Sequence, residues 1–196
     1  TRHWCFAGIV RPSTAGPDQP PVSREKRHRL FFALEPDATV RRQVTEFQQS
    51  IELTGRAVPP ANLHVTLAFL GMQESHVIAA AGEVAAALSF PCCEVVLDSP
   101  GRFKRAGVLW LGASRIPAAL LTFQHALVDG LLEAGIGYDK KPWKFHLTLY
   151  RKMRKPAPIM APVAIRWRLD GFSLVESVSV RSGVEYHTLG HWKSAR

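Results

Sequence analysis

The sequence predicts an α+β protein, and two observations carry that expectation. Short apolar runs bounded by Gly and Pro recur along most of the chain and read as strands. Three longer segments between them repeat apolar residues at helical spacing. Strand, helix, strand, helix and then further strands imply sheets covered by helices on one face. At 196 residues the chain can bury one sizeable core or two small lobes that share an interface.

Residues 1–28 hold Pro12, Pro17, Pro20 and Pro21 and end in a basic cluster, Arg24 to Arg29, so they read as a flexible tail. Folding is expected to begin at Arg29 to Leu34, an apolar run suited to a buried strand, and residues 29–196 then form one domain. Pro36 is placed to open a helix, and Val40, Val44, Phe47 and Ile51 give it one apolar face. A strand over Leu63 to Leu70, stopped by Gly71, leads to an alanine-rich helix from about Glu74 to Ser89. Cys92 to Leu97 and Val108 to Leu111 read as strands flanking a turn at Ser99-Pro100-Gly101. Ile116 to Ala134 reads as a long amphipathic helix. The last third carries strand patterns at Phe145 to Arg151, Ala164 to Leu174, Ser177 to Arg181 and Tyr186 to Leu189, with a loop over Pro156 to Pro162.

Charge and cysteine usage narrow the function classes. The net charge of +9 favours a polyanionic partner, because Lys and Arg in excess neutralise phosphates. The three cysteines include no Cys-x-x-Cys pair, and the adjacent Cys92 and Cys93 are poorly placed to bridge, which implies a reducing, cytoplasmic setting. No apolar segment approaches membrane-spanning length.

One short pattern occurs twice, each time inside a predicted strand: Leu63-His64-Val65-Thr66-Leu67 and Phe145-His146-Leu147-Thr148-Leu149. Residues two apart on a strand share a face, so each copy presents an imidazole and a hydroxyl on one side and apolar anchors on the other. Two imidazoles and two hydroxyls suit phosphoester chemistry. With a reference pKa near 6.5, one ring can act as base while the other acts as acid in a single in-line displacement. Threonine hydroxyls can donate to the non-bridging oxygens, and neither metal nor covalent intermediate is required. A single histidine on a strand is more often a satisfied structural residue, but duplication in matching apolar frames argues for a site. The sequence contains no His-x-His, His-Glu-x-x-His, Gly-x-Ser-x-Gly or Gly-x-x-x-x-Gly-Lys pattern, so zinc, serine-nucleophile and nucleoside-triphosphate chemistries lack support. No cofactor and no metal are expected.

At these residues the chain resembles the RNA 2',3'-cyclic phosphodiesterase family, also called 2'-5' RNA ligases, within the two-histidine (2H) phosphoesterase superfamily. Arg29 to Leu34, Asn62 to Gly71, Val108 to Gly112 and Tyr186 to Trp192 look like family landmarks in family order, so the likeness spans about 29–192. It implies a bilobal, pseudo-symmetric fold: two antiparallel sheets flank a central cleft, with helices outside. It also implies that His64 donates a proton to the departing ribose oxygen, His146 activates water, and Thr66 and Thr148 hold phosphate oxygens. The implied product is a 2'-phosphomonoester, and ligation through a 2'-5' linkage is a further implied activity. The implied partner is RNA with a 2',3'-cyclic phosphate end, tRNA fragments among the candidates, acted on by a monomer away from membranes.

A basic residue after the second motif is typical of the family, and Arg151 stands there. Strict alternation puts it on the face opposite His146, so its reach to phosphate needs a twist, a bulge or a long swing. Phe145 stands where many relatives have Pro. Lys144 shares the His146 face and reads equally as a phosphate contact or a solvated charge. Phe103 and Trp143 are candidates for base stacking but fit the core better, and Trp110 reads as core. His125, His187 and His191 read as structural or surface residues. Two rivals remain: a phosphodiesterase for a small cyclic nucleotide or 2'-5' oligonucleotide, and a non-catalytic RNA-binding module.

Overall fold

The computed structural model describes residues 26–154, 161–181 and 183–194. The tail expected over 1–28 therefore falls outside the described residues up to position 25, as does most of the loop expected over Pro156 to Pro162. In chain order the elements are β1 (Arg27–Leu34), α1 (Ala38–Gln49), β2 (Arg56–Ala57), a 3-10 turn (Pro60–Asn62), β3 (Val65–Glu74) and α2 (Ser75–Ala86). There follow β4 (Cys93–Leu97), β5 (Ser99–Phe103), β6 (Val108–Gly112), α3 (Ala118–Glu133), β7 (Leu147–Arg151), β8 (Ile165–Leu169), β9 (Gly171–Val180) and β10 (Gly183–Lys193).

The two sheets expected to flank a cleft are halves of one antiparallel sheet, ordered β10-β9-β1-β3-β7-β6-β5, with β2 beside β7. One half is β10-β9-β1-β3 and the other is β7-β6-β5. Between β3 and β7 the ladder is reduced to a single pair, Val65 opposite Leu147. A separate two-stranded sheet pairs β4 with β8. The main core includes Val65, Leu67, Leu147 and Leu149 from the large sheet, Val44, Leu120 and Leu127 from the helices, and Trp167 from β8. A second, small cluster of Phe31, Ala33 and Val175, with Phe69 and Tyr186, lies apart from it. One face of the large sheet is thus sealed by helices while the other carries aromatic residues and the motif side chains.

Local chemistry explains several departures from expectation. Helix α1 is capped by Asp37, whose carboxylate accepts from the backbone N–H groups of Thr39 and Val40 at 2.8 and 2.9 Å, so Pro36 lies just outside it. The turn expected at Ser99-Pro100-Gly101 is the edge strand β5, where proline is tolerated. Gly101 is required there, since a Cβ would stand 2.1 Å from the Trp110 ring. β3 runs past Gly71 to Glu74, and the long strand expected over 164–174 is divided at Asp170 into β8 and β9, which belong to different sheets.

Candidate active site

Each motif histidine sits one residue before its strand, at the place where the two halves meet. Carrying the Val65–Leu147 pairing one residue to either side sets His64 opposite Thr148 and Thr66 opposite His146. The central pair is fully buried on the core side, which turns the four polar side chains together onto the other face. The duplication read in the sequence thus becomes a four-cornered cluster with the histidines on one diagonal and the threonines on the other.

Both imidazoles are held in the same way. His64 Nδ1 lies 2.8 Å from the carbonyl of Asn62, and His146 Nδ1 lies 2.8 Å from the carbonyl of Lys144, two residues upstream in each case. A carbonyl can only accept, so Nδ1 carries the proton in both rings and Nε2 is left to exchange one. Burial pulls the pKa of His64 down to about 4; the Asn62 carbonyl opposes the fall, Arg151 and His146 add to it, and Glu35 opposes it. Burial also lowers His146, against its bond to Lys144, with Arg151 and the Lys144 ammonium lowering it further. With nothing bound, both rings are biased toward the neutral form.

Two matching bulges complete the arrangement. The register of β1 against β3 shifts between Phe32–Ala68 and Ala33–Thr66, leaving Leu67 as an extra residue. That of β6 against β7 shifts between Leu109–Tyr150 and Trp110–Thr148, leaving Leu149 extra. Each extra residue follows its motif threonine. The bulges put Leu67 with Ala68, and Leu149 with Tyr150, into the core as consecutive residues, which reverses the alternation beyond them. Arg151 therefore joins the face of His146 and Thr148, and its charge acts on both imidazoles. The bulge is what strict alternation lacked. Phe69 occupies the equivalent place in the first half, where the Arg29 guanidinium lies 5.1 Å from its ring centroid.

Buried glutamines hold both bulges. Gln48 of α1 donates to the Leu149 carbonyl at 2.6 Å and to the Val58 carbonyl at 3.1 Å, while its own carbonyl accepts from the Tyr150 hydroxyl. Gln124 of α3 donates to the Leu67 carbonyl at 3.2 Å. The helix behind each bulge thus supplies a donor to the carbonyl of the extra residue, and the Leu149 carbonyl also accepts from the Val58 N–H at 2.8 Å. The Trp143 indole donates to the Thr66 carbonyl at 2.8 Å, and Asp139 N–H to the Phe69 carbonyl. The segment before His146 is thereby pinned along β3, and Phe145 fills core space there.

The walls differ between the halves. His64 is packed between Phe31 and Tyr186, with ring centroids at 4.9 and 5.1 Å. Glu35 lines the same recess, its carboxylate accepting from the Ser173 hydroxyl, which in turn accepts from His191 Nδ1. His146 meets Phe103 at 5.1 Å and Trp110 at 6.3 Å, and the Lys144 ammonium lies 4.2 Å from the Trp110 centroid. Trp110 is buried, as expected of a core residue, but against the site and not among the helices. Trp143 serves the scaffold, whereas Phe103 borders His146. His125 and His187 are exposed, and His191 reaches the site only through Ser173. The contributions of Phe31, Tyr186, Glu35, Gln48 and Gln124 escaped the sequence reading. A continuous apolar run such as Leu30 to Leu34 does not say which of its residues face the cleft.

The comparisons agree with this geometry. A sequence model of the 2'-5' RNA ligase superfamily matches residues 36–181. The chain belongs to that superfamily. It is 30% identical over 168 residues to an RNA 2',3'-cyclic phosphodiesterase of Escherichia coli, covering 84% of this chain and 95% of that one. It is 33% identical over 176 residues to one of Thermus thermophilus, covering 82% and 87%. The crystal structure of E. coli LigT complexed with 3'-AMP superimposes with a TM-score of 0.81 at 28% identity, covering 87% of this chain and 100% of that one. Among the described residues no helix is long and apolar enough to cross a membrane, and no three His, Cys, Asp or Glu side chains come together to hold a metal ion.

Proposed function

We propose that the protein is an enzyme that hydrolyses 2',3'-cyclic phosphate at RNA ends to a 2'-phosphomonoester. The observation that carries this reading is the pair of imidazoles, each with Nδ1 committed to a carbonyl and Nε2 free, on one face with two threonines and the Arg151 charge. Superfamily membership and relatives named for the same reaction support it.

In the proposed step, His146 Nε2 takes a proton from water as its oxygen bonds to phosphorus. The bond from phosphorus to O3' breaks, and O3' takes the proton held by His64 Nε2. Thr66, Thr148 and Arg151 hold the non-bridging oxygens as charge builds on them. The surroundings favour this division of roles. His64 lies in the enclosed recess between Phe31 and Tyr186, suited to the ribose side, whereas His146 stands beside exposed Lys144, where water can enter. The bound phosphate's negative charge offsets Arg151 and raises His64 toward the protonated form that an acid needs. A 5'-hydroxyl in place of water would give a 2'-5' linkage by the same step.

Both motifs come from one chain, which supports a monomer as the working unit, with residues 29–196, preceded in β1 by Arg27 and the buried His28, as its single bilobal domain. The free thiols of Cys92 and Cys93 support a reducing compartment, the cytoplasm, where cleaved RNAs such as tRNA fragments would be the substrates. The test is turnover of a short RNA ending in 2',3'-cyclic phosphate, with the product phosphate position resolved, by wild type, His64→Ala and His146→Ala. A 2'-phosphate product from wild type and loss in both variants support the reading. Intact RNA binding without wild-type turnover would replace it with a binding module.

A further inference from the structure

The charge of the chain is divided unevenly between its halves. Residues 30–98 carry 3 Lys and Arg against 8 Asp and Glu, whereas residues 99–169 carry 13 against 3, with no acidic residue at all from 140 to 169. In the fold part of this excess lies beside the active site. The β5–β6 turn presents Lys104 and Arg105, and the chain leaving β7 presents Lys152 and Arg154; all four are exposed.

The two segments are locked to each other. The Met153 N–H donates to the Gly107 carbonyl at 2.9 Å, and Gly107, at φ 59°, packs so closely that a Cβ would stand 2.8 Å from the Met153 carbonyl oxygen. Lys152 itself has φ 59°, a left-handed conformation that a lysine rarely adopts without a reason. Elsewhere three exposed cations are matched, Arg42 with Glu46, Lys141 with Asp139 and Arg166 with Glu94. Among the described residues none of Lys104, Arg105, Lys152 and Arg154 is in an ion pair. The rim is also continuous with the site, since Arg151 precedes Lys152, and Phe103, against the His146 ring, precedes Lys104.

We propose that Lys104, Arg105, Lys152 and Arg154 bind the phosphodiester backbone of nucleotides upstream of the reacting end, so that the enzyme selects oligonucleotide ends over mononucleotides. This inference rests on the cyclic phosphodiesterase reading for its reaction, but the surface has a binding signature of its own. A row of unmatched cations beside an aromatic ring suits a single strand, whose backbone they neutralise while a base stacks on the ring.

The experiment compares wild type with Lys104→Ala/Arg105→Ala and with Lys152→Gly/Arg154→Ala; glycine at 152 keeps the left-handed backbone. Turnover is measured on a nucleoside 2',3'-cyclic phosphate and on an RNA of about eight nucleotides with the same end. Binding is measured separately on that RNA ending in a 3'-phosphate, across a salt series. The expected result is a kcat/KM for the oligonucleotide at least about tenfold above the mononucleotide, and a binding slope of about −3 in log affinity against log salt for four phosphate contacts. Each variant is expected to lose most of that preference and to flatten the slope, with mononucleotide turnover unchanged. Equal handling of the two substrates by wild type, or variants that bind the oligonucleotide as wild type does, would overturn the rim. Absent turnover with rim-dependent binding would instead overturn the phosphodiesterase reading and leave the rim standing.

Discussion

Around His64 the walls are Phe31 and Tyr186, the nearby charge is the carboxylate of Glu35, and the place after the bulge is taken by Phe69. Around His146 they are Phe103 and Trp110, the nearby charge is the Lys144 ammonium, and the place after the bulge is taken by Arg151. The backbone is alike in both halves: histidine before the strand, Nδ1 on a carbonyl two residues back, threonine next, then a bulge with a glutamine behind it. A symmetric backbone offers two equal imidazoles and does not itself set which acts as acid and which as base. The walls supply the difference, with the enclosed half suited to the leaving oxygen and the open, cationic half suited to water and phosphate.

Removing either imidazole should break this comparison most severely. His64→Ala and His146→Ala are each expected to lower kcat by about 10²–10⁴-fold. Their pH profiles should differ in kind. A base must be neutral, so His146→Ala loses the rise of activity with increasing pH; an acid must be protonated, so His64→Ala loses the fall at higher pH.

The unequal residues at equivalent places come next. Arg151→Gln is expected to cost about 10²-fold in kcat/KM, because it removes charge stabilisation on the phosphate, and to raise the pKa of both histidines in the free protein. Phe69→Leu, at the matching position, should leave kcat/KM within a few-fold of wild type. Equal losses at the two positions would remove the functional distinction between the halves.

The glutamines sharpen the comparison at the level of stability. Gln48→Leu removes a donor from two buried carbonyls, of which Leu149 keeps its bond from the Val58 N–H, and should cost about 1–3 kcal/mol in denaturant unfolding, with a loss of kcat/KM because its bulge turns Arg151 into the site. Gln124→Leu frees one carbonyl from a longer bond and should cost less.

A smaller effect lies in the pH dependence of unfolding. His64 has a folded pKa of about 4 against an unfolded value near 6.5, so the unfolded chain binds the extra proton between them. Its contribution is fully present above about pH 6.5 and is lost as pH falls toward 4, by at most about 3 kcal/mol since the ring is partly exposed; His64→Ala should flatten that part of the curve.

The three helices, most strands and the convergence of His64, Thr66, His146 and Thr148 were legible because hydrophobic periodicity and strand alternation are local rules. Arg151 was legible by resemblance, but the bulge that aims it was not. An extra residue at Leu149 leaves no mark in a run as apolar as Leu147 to Tyr150, and only pairing with β6 exposes it. β5 was hidden because Pro100 and Gly101 spell a turn locally, while their strand character comes from the edge position and the Trp110 ring across from it. Gln48 and Gln124 were hidden because a polar residue on a helix reads as solvent-facing until the opposing strand shows a buried carbonyl within its reach.

The most direct test of the division between the halves is an NMR titration of the two histidine rings, assigned through His64→Ala and His146→Ala, without ligand and with a 2'-nucleotide bound. His64 should titrate near pH 4 when free, keep its Nδ1–H tautomer, and move upward by more than His146 when the phosphate is bound. Two rings that titrate together near 6.5 and move equally on binding would contradict the assignment of acid and base by their surroundings.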